Sequence, residues 1–348
     1  MTLQLDAALS TLQGGARQRG ADPLVERRIQ DVQAFLGEDM AEVEQWLLDA
    51  SAAGLTPAGP AALHLVERGG KRVRPMALLL AARCFGRRGA AVQELAAAVE
   101  LVHSATLLHD DVIDEGMERR GSVTSRRRFG NAVSVLAGDL LLIDALERAR
   151  RISQAEEQPQ LLAEFMSTLR RLVEGEIIQL RGRSELDVSE ATYYRILSDK
   201  TASLFSFATR AGAWLAGAAP AAVEALGNYG ESLGIAFQLV DDVLDYSSQK
   251  TGKTLYADVI EGKMTLPLVL AIERDPSLTP LLGRMREGDK ELAPSIAEKV
   301  LASGACDEVR RRAQKISEAA TSALEGVPVS PARTLLSVVA SEMTRRLD

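Results

Sequence analysis

An acidic motif that occurs twice constrains the fold of this chain more than any other feature. His-Asp-Asp-Val-Ile-Asp at 109–114 is followed, in the second half of the sequence, by the similar Val-Asp-Asp-Val-Leu-Asp at 240–245. Both copies come directly after apolar sequence of helical character. On a helix, residues i and i+4 share a face, so each motif presents its first and last aspartates as one wall of carboxylates.

These carboxylates need a counter-charge, because neither motif is accompanied by lysines or arginines at i+3 or i+4 spacing. Magnesium suits this role, since it takes oxygen ligands and bridges carboxylates to substrate phosphates. Two acidic walls facing each other across a helical bundle could clamp a diphosphate in this way. One such motif alone would as easily be a solvated helix face, but two copies behind apolar sequence argue against that. The expected metal ligands are Asp110, Asp111, Asp114, Asp241, Asp242 and Asp245.

The remainder of the chain predicts an all-α protein. Ala and Leu dominate, and apolar residues recur at helical spacing through most of the sequence. Helices are predicted over Ala91–His109 and Tyr229–Tyr246. Breaks between helices are expected where Gly and Pro cluster, at 53–60, 86–89, 116–122, 217–220 and 252–263. We expect a flexible segment at 1–25 and a single helical domain at 26–348.

Charge and composition exclude several classes of protein. A net charge of −7 argues against general nucleic-acid binding, which needs a basic face. The longest apolar runs fall short of the ~18–20 residues of a membrane span, and no secretory signal opens the sequence. Cys84 and Cys306 are too few for a disulfide framework, so we expect a protein of the reducing cytoplasm.

Basic residues lie close to the first acidic motif. Gly-Gly-Lys-Arg-Val-Arg-Pro at 69–75 places cations before a helix, where they could hold a second, metal-free diphosphate; an ordinary positive loop is the alternative. A histidine two helical turns before the motif would equally fit a satisfied core residue. Two arginines after the motif could each bind a diphosphate by charge-assisted hydrogen bonds. The residues concerned are Lys71, Arg74, His103, Arg119 and Arg120.

The order of these motifs resembles that of the trans-type polyprenyl diphosphate synthases, and most closely the long-chain, octaprenyl diphosphate synthase-like members. The resemblance covers roughly residues 60–270. It rests on GGKRVRP at 69–75, HSATLLHDDVIDEGMERRG at 103–121, FGNAVSVLAGD at 129–139, GEIIQL at 175–180, KTASLF at 200–205, YGESLGIAFQLVDDVLDY at 229–246 and GKMTLPL at 262–268.

The resemblance implies a fold and an activity. The fold is a bundle of mostly antiparallel helices around a central cavity, and the protein is a cytoplasmic homodimer. The activity is repeated head-to-tail condensation of isopentenyl diphosphate with an allylic diphosphate (geranyl, farnesyl or geranylgeranyl), using about three Mg²⁺ ions per site. A short-chain synthase or a non-catalytic subunit of a hetero-oligomer is the alternative. A terpene cyclase would lack the Gly-Gly-Lys-Arg segment and the second Asp-Asp motif.

The resemblance also implies roles for individual residues. Isopentenyl diphosphate is expected to bind to Lys71, Arg74, His103 and Arg120. The allylic diphosphate and the cation formed from it are expected to be surrounded by Arg119, Lys200, Thr201, Gln238, Lys253 and Lys263. All of these except Lys253 are expected to act in catalysis. The chain departs from the family pattern in two loops, at 121–125 and 247–258, which puts the geometry of those loops in question.

Product length is expected to depend on the helix that leads to Asp110. Ala105 and Thr106 stand where short-chain members carry a bulky aromatic that closes the cavity. One helical turn is ~5.4 Å, close to one extended isoprene unit, so small residues there favour a longer product. Alternatively, Ala105 only packs against a neighbouring helix. Candidates for a deeper floor are Leu101, Val102, Leu142 and Leu146.

Overall fold

The computed structural model describes residues 23–52, 57–185, 189–247 and 256–344, and these residues are almost entirely helical. The all-α prediction is therefore confirmed. The α-helices are α1 Pro23–Ala52, α2 Ala58–Val66, α3 Val73–Arg83, α4 Ala90–Ile113, α5 Ser125–Phe129, α6 Asn131–Ala155, α7 Pro159–Glu185, α8 Glu190–Ile196, α9 Ser203–Leu215, α10 Pro220–Ser247, α11 Ala257–Ile260, α12 Leu266–Arg274, α13 Leu278–Arg286, α14 Ala293–Ala302, α15 Ala305–Ala323 and α16 Pro331–Thr344.

Shorter elements interrupt this pattern. Strands β1 (Glu118–Arg119) and β2 (Ser122–Val123) form a two-residue antiparallel hairpin. A π-helical turn, Leu197–Ala202, joins α8 to α9, and 3₁₀ turns lie at Lys290–Leu292 and Leu324–Gly326. A π turn within a helix is rare and commonly marks a functional position.

The chain divides into two compact units. Of the described residues, the first unit comprises those within 1–166, 207–227 and 326–338, and the second comprises those within 167–206, 228–325 and 339–348. The prediction of one domain over 26–348 stays a prediction. Of the expected flexible segment at 1–25, residues 1–22 lie outside the described part of the chain.

Helix α4 is the central element of the first unit, where it packs against α6, α3 and α1. Its Ala-rich sequence is buried on more than one side. Gly138 on α6 lies against the imidazole of His109 on α4, because a Cβ at Gly138 would lie 2.3 Å from Nε2 of His109. By length and composition α4 could cross a membrane, but 67% of its most apolar window is buried, which is typical of a core helix.

The second unit has its own apolar core. Side chains from α8, α10 and α12 to α15 form it, with Leu239, Val243, Leu266 and Ile296 fully buried at its centre. Helix α12 packs against α15, and α13 packs against α14. Because α10 contributes both core residues and the second acidic motif, the packing of this unit fixes the orientation of that motif.

Candidate active site

The first acidic motif ends α4. The backbone N–H of Asp114 donates to the carbonyl of Asp110 (2.8 Å), so the motif stays helical up to its last residue. Asp110 and Asp114 are half-buried, whereas Asp111 is buried and accepts a hydrogen bond from Nε of Arg119 (2.8 Å). Burial raises the pKa of Asp111, and the adjacent Arg119 opposes that shift. The outer carboxylates of the motif are thus the more accessible ones.

The β1–β2 hairpin carries the two arginines that follow the motif. Arg120 has a left-handed backbone (φ 53°) and Gly121 follows it with φ 70°, which together make the tight turn. Thr124 closes the hairpin base, because its Oγ1 donates to the carbonyl of Gly116 (2.8 Å). This loop departs from the family pattern at 121–125, and its residues nevertheless form an ordered turn that presents Arg119 and Arg120.

The hairpin places Arg120 against the Gly-Gly segment before α3. A Cβ at Gly70 would lie 2.7 Å from Nη2 of Arg120, so the guanidinium packs directly on Gly70 in this position. Lys71 and Arg74 follow at the N-terminus of α3, where the helix dipole favours an anion. Burial lowers the pKa of Arg74 to about 10, and the carboxylate of Glu100 opposes the shift. The structure therefore gathers three of the predicted cations in the first unit.

His103 completes this cationic cluster from α4. Burial, together with the positive charges of Arg74 and Arg120, holds the pKa of His103 well below its ordinary value of 6.5. The imidazole is therefore neutral at physiological pH and can donate one hydrogen bond without adding a further positive charge. The interpretation of His103 as part of a diphosphate site is compatible with this environment.

The candidate residues for product length fall into two groups. Leu101, Val102 and Ala105 on α4 are fully buried, whereas Leu142 and Leu146 on α6 are half-buried. Half-buried Thr106 has its hydroxyl engaged, since Oγ1 donates to the carbonyl of His103 (2.8 Å).

In the second unit, a chain of hydrogen bonds ends on the inner aspartate of the second motif. Asp242 is buried and accepts from the hydroxyl of Tyr193 (2.6 Å) and from Nε2 of Gln238 (2.9 Å). Oγ1 of Thr201 in turn donates to Oε1 of Gln238 (3.3 Å). Burial and the negative charge of Asp258 raise the pKa of Asp242 to about 7, against the effect of its two donors.

The outer aspartates of the second motif are half-buried. Both carboxylate oxygens of Asp245 accept backbone N–H groups, from Ala257 (3.1 Å) and Asp258 (3.2 Å), so Asp245 caps the start of α11. Lys263 forms ion pairs with Asp258 and Glu261. The predicted residue Lys253 and most of the departing loop at 247–258 lie outside the described residues.

Lys200 lies in the π turn and forms an ion pair with Glu176 on α7. The turn packs closely on that helix, because a Cβ at Gly175 would lie 2.7 Å from the backbone nitrogen of Lys200. Nε of Arg171 also donates to Asp199 in the turn (2.8 Å). Glu176, the ion-pair partner of Lys200, belongs to the GEIIQL motif at 175–180. Nothing in a single sequence connects that motif to Lys200.

Other functional contacts had no sequence signal. Tyr193, which donates to Asp242, precedes it by many residues in another helix. Glu100 lies one turn before His103 on α4 and raises the pKa values of Arg74 and Arg120 against the effect of burial, but no motif in the sequence marks it.

The carboxylates fit ions that are shared with a substrate. Among the described residues, no three carboxylate, imidazole or thiolate side chains converge as a complete metal site. Each motif instead offers half-buried outer aspartates, and Mg²⁺ characteristically binds to one or two carboxylates, with water and phosphate oxygens in the remaining positions. The half-buried Asp110, Asp114, Asp241 and Asp245 would meet such ions more readily than the buried Asp111 and Asp242.

Comparison with known proteins decides the family. The polyprenyl synthetase family model matches residues 59–300. The chain belongs to the polyprenyl synthetase family. Membership covers every described motif discussed above, from the Gly-Gly segment to the end of the second acidic motif, and it makes the protein a prenyltransferase.

Relatives within the family include long-chain and short-chain enzymes. The chain is 35% identical over 316 residues to the octaprenyl diphosphate synthase of Escherichia coli, covering 88% of this chain and 96% of the relative. It is 34% identical to a short chain isoprenyl diphosphate synthase of Methanothermobacter thermautotrophicus, covering 81% and 88%. A polyprenyl synthase structure from Caulobacter crescentus, complexed with calcium and isoprenyl diphosphate, has a TM-score of 0.84 at 38% identity, covering 90% of this chain and 97% of that one.

Proposed function

We propose that this protein is a magnesium-dependent polyprenyl diphosphate synthase. It adds isopentenyl diphosphate units repeatedly to a geranyl, farnesyl or geranylgeranyl diphosphate primer and forms a long all-trans product. The observation that carries this proposal is the cationic cluster of the first unit, in which Arg74 and Arg120 lie near a neutral His103 on α4, the helix that ends in the first acidic motif. Such a cluster suits a diphosphate that carries no metal ion.

The two substrates have distinct partners in this proposal. Isopentenyl diphosphate binds to Lys71, Arg74, His103 and Arg120. The allylic diphosphate binds near Arg119, Lys200, Thr201, Gln238, Lys253 and Lys263. Arg119 donates to Asp111 through one nitrogen, and a guanidinium has five N–H donors, so this bond is compatible with a diphosphate contact.

The chemistry follows from electrostatics. The C–O bond of the allylic diphosphate breaks, and negative charge develops on the departing diphosphate, where Arg119, Lys200 and Lys263 stabilise it. The amide oxygen of Gln238 accepts a hydrogen bond from the hydroxyl of Thr201. The dipoles of these two oxygen-bearing groups stabilise the allylic cation. Magnesium, when bound, neutralises the diphosphate as a Lewis acid. The double bond of isopentenyl diphosphate then forms the new C–C bond, and the proton lost in that step passes to the released diphosphate.

An extension assay with the purified chain alone tests this function. Magnesium, labelled isopentenyl diphosphate and farnesyl diphosphate are expected to give a long polyprenyl diphosphate, and EDTA is expected to abolish it. Asp110→Asn should lower kcat by at least ~100-fold, because a metal ligand is lost. If no allylic primer is extended, the alternative of a non-catalytic subunit is favoured instead.

Product length is a separate part of the proposal. Small Ala105 and Thr106 leave the helix before Asp110 without an aromatic floor, which supports a long chain over a short one. Ala105→Phe should shorten the product by one or more isoprene units, because an aromatic ring fills about one helical turn. Product chromatography measures this, and an unchanged product length would contradict the role of Ala105.

We also propose a cytoplasmic homodimer. Helix α6 carries an apolar stripe with Leu136, Leu140 and Ile143 exposed by 58, 44 and 53%. Such a stripe suits a second copy of the chain. In light scattering, Leu140→Glu should give monomers, whereas Leu301→Glu on α14, a residue exposed by 41%, should leave the mass unchanged. The presence of only two cysteines in the sequence, Cys84 and Cys306, supports a reducing compartment.

A further inference from the structure

One member of the basic segment has no place in the proposed reaction. Arg72 lies between Lys71 and Arg74, and its side chain is only 1% exposed, whereas both of those neighbours are half-buried. A buried arginine inside a substrate-binding segment needs an explanation, because burying a guanidinium is costly unless its charge and its hydrogen bonds are satisfied.

The contacts of Arg72 satisfy that requirement through three helices. Nε and Nη2 donate to the two carboxylate oxygens of Glu44 on α1, at 2.7 and 3.1 Å, in a bidentate pair. Nη1 donates to Oε1 of Glu100 on α4 (2.9 Å), and Nη2 also donates to the carbonyl of Val66 at the end of α2 (3.2 Å). The guanidinium therefore fixes the start of α3 to α1, α2 and α4 at once.

The backbone conformation of Arg72 affects the positions of the residues on either side of it. Its φ of 47° and ψ of 33° are left-handed, a conformation that residues other than glycine rarely adopt, and Arg72 is the N-cap of α3. The direction in which the chain leaves this residue sets the positions of Lys71 before it and Arg74 after it. An unfavourable backbone conformation persists only where the surroundings hold it in place.

We infer that Arg72, held by Glu44 and Glu100, is a positioning residue that keeps Lys71 and Arg74 in the arrangement needed to bind the diphosphate of isopentenyl diphosphate. The inference rests on the proposed function, because it takes that substrate as the ligand of the cluster. Arg72 itself does not contact the substrate. Glu100 extends the same connection to His103, which lies one helical turn later on α4.

Direct binding of isopentenyl diphosphate tests this role without requiring turnover. Calorimetry in the presence of EDTA measures binding that needs no metal ion. Lys71→Ala, which removes a proposed contact, should weaken binding by ~10-fold or more. Arg72→Lys keeps the positive charge but loses the bidentate geometry, and it should also weaken binding by ~10-fold. Glu44→Gln is a milder variant, since Glu44 is partly exposed, and it should weaken binding by about 3-fold.

A second buried ion pair in the same unit provides the matched control. Arg83, at the other end of α3, pairs with Asp39 on α1, and their side chains are 5 and 6% exposed. Arg83→Lys is therefore the same substitution at a buried arginine that pairs with α1, made at the opposite end of α3. It should lower the thermal stability as Arg72→Lys does, yet leave the Kd for isopentenyl diphosphate within about 2-fold of the wild type.

The outcomes separate this inference from the proposed function. Weaker binding in Arg72→Lys and Glu44→Gln, with Arg83→Lys unchanged, supports the positioning role. Unchanged binding in Arg72→Lys, or an equal loss in Arg83→Lys, would overturn it. If Lys71→Ala binds normally, or the wild type does not bind, the assignment of the site is wrong and the inference fails with it. Wild-type binding without extension of any primer would instead refute only the proposed function.

Discussion

The two acidic motifs have similar sequences, but their six aspartates differ in their surroundings. In both motifs the middle carboxylate is buried and bonded to protein donors, to Arg119 in the case of Asp111 and to Tyr193 and Gln238 in the case of Asp242. The first residues, Asp110 and Asp241, are half-buried. The inner aspartates therefore organise neighbouring polar groups, and the first ones are better placed to meet ions from solvent.

Adding a Cβ at Gly70 tests whether the position of Arg120 matters for substrate binding. Gly70→Ala would place a methyl group against the guanidinium of Arg120, which is the end of a flexible side chain and can move away. We expect the unfolding free energy to change by less than about 1 kcal/mol. The KM for isopentenyl diphosphate should rise by ~10-fold, because Arg120 is displaced. Steady-state kinetics measures this effect.

The control for that variant is Gly37→Ala on α1, where a Cβ would meet nothing within 4 Å. Its kinetics should equal those of the wild type. An unchanged KM in Gly70→Ala would show that Arg120 does not bind isopentenyl diphosphate from this position.

His103 gives a prediction about pH. Its folded pKa lies below the ordinary 6.5, so between these values the unfolded chain binds more protons than the folded one. Stability is therefore lost as the pH falls below 6.5, by at most about 1.4 kcal/mol per pH unit from this one group. Urea unfolding at pH 7.5 and 5.5 should show a larger loss for the wild type than for His103→Gln. Equal losses, or an imidazole that titrates at 6.5 by NMR, would contradict this.

At the scale of elements, close packing at glycines positions segments of the candidate site. Gly138 brings α6 against α4, and Gly175 brings α7 against the π turn that contains Lys200. The π turn also receives the Arg171 to Asp199 hydrogen bond, so several contacts hold an otherwise uncommon backbone geometry. The position of Lys200 is thus determined by helix packing as well as by its own ion pair with Glu176.

Gly175 provides the test of this packing. Gly175→Ala would place a Cβ 2.7 Å from the backbone nitrogen of Lys200, and backbone atoms cannot move aside as a flexible side chain can. We expect a loss of roughly 1–3 kcal/mol in stability and a lower kcat, since Lys200 shifts. Chemical unfolding and kinetics of the same preparation measure both.

The comparison variant is Gly283→Ala in α13, where no atom lies within 4 Å of the new Cβ. Helix propensity alone should stabilise it by up to about 1 kcal/mol. A Gly175→Ala protein as stable and active as this control would show that the π turn does not depend on the contact.

The helices were largely predictable from the sequence, because hydrophobic periodicity and Ala-rich composition act locally. The predicted Ala91–His109 corresponds to Ala90–Ile113, and the predicted Tyr229–Tyr246 lies within Pro220–Ser247. The β1–β2 hairpin and the π turn were not predictable, since both depend on contacts with other elements. Helix propensity carries no information about such contacts.

The candidate site was likewise predictable only where local sequence determines it. Spacing alone placed the outer aspartates of each motif on one face, and the motif order indicated the family that the comparisons establish. The pairing of Arg72 with Glu44 and of Asp242 with Tyr193 joins residues far apart in sequence, so no local pattern announces it. The sequence therefore identified most of the residues that we expect to contact substrate. It did not identify the residues that hold those side chains in place.

At the scale of the whole molecule, the proposed function requires carboxylates from two distant motifs to act on one diphosphate through divalent ions. A protein with a net charge of −7 that binds two polyanionic substrates needs local positive charge, which the cationic cluster supplies and which bound metal ions would increase. Neither acidic motif provides a complete metal site within the described residues. Binding of metal and of allylic diphosphate should therefore depend on each other.

Manganese binding, measured by electron paramagnetic resonance with an unreactive thiolo analogue of farnesyl diphosphate, tests this claim most directly. The wild type should hold about three tightly bound ions only when the analogue is present. Asp110→Asn and Asp241→Asn should each reduce that number, because both motifs contribute ligands. Full metal occupancy without the analogue, or in either variant, would contradict the account.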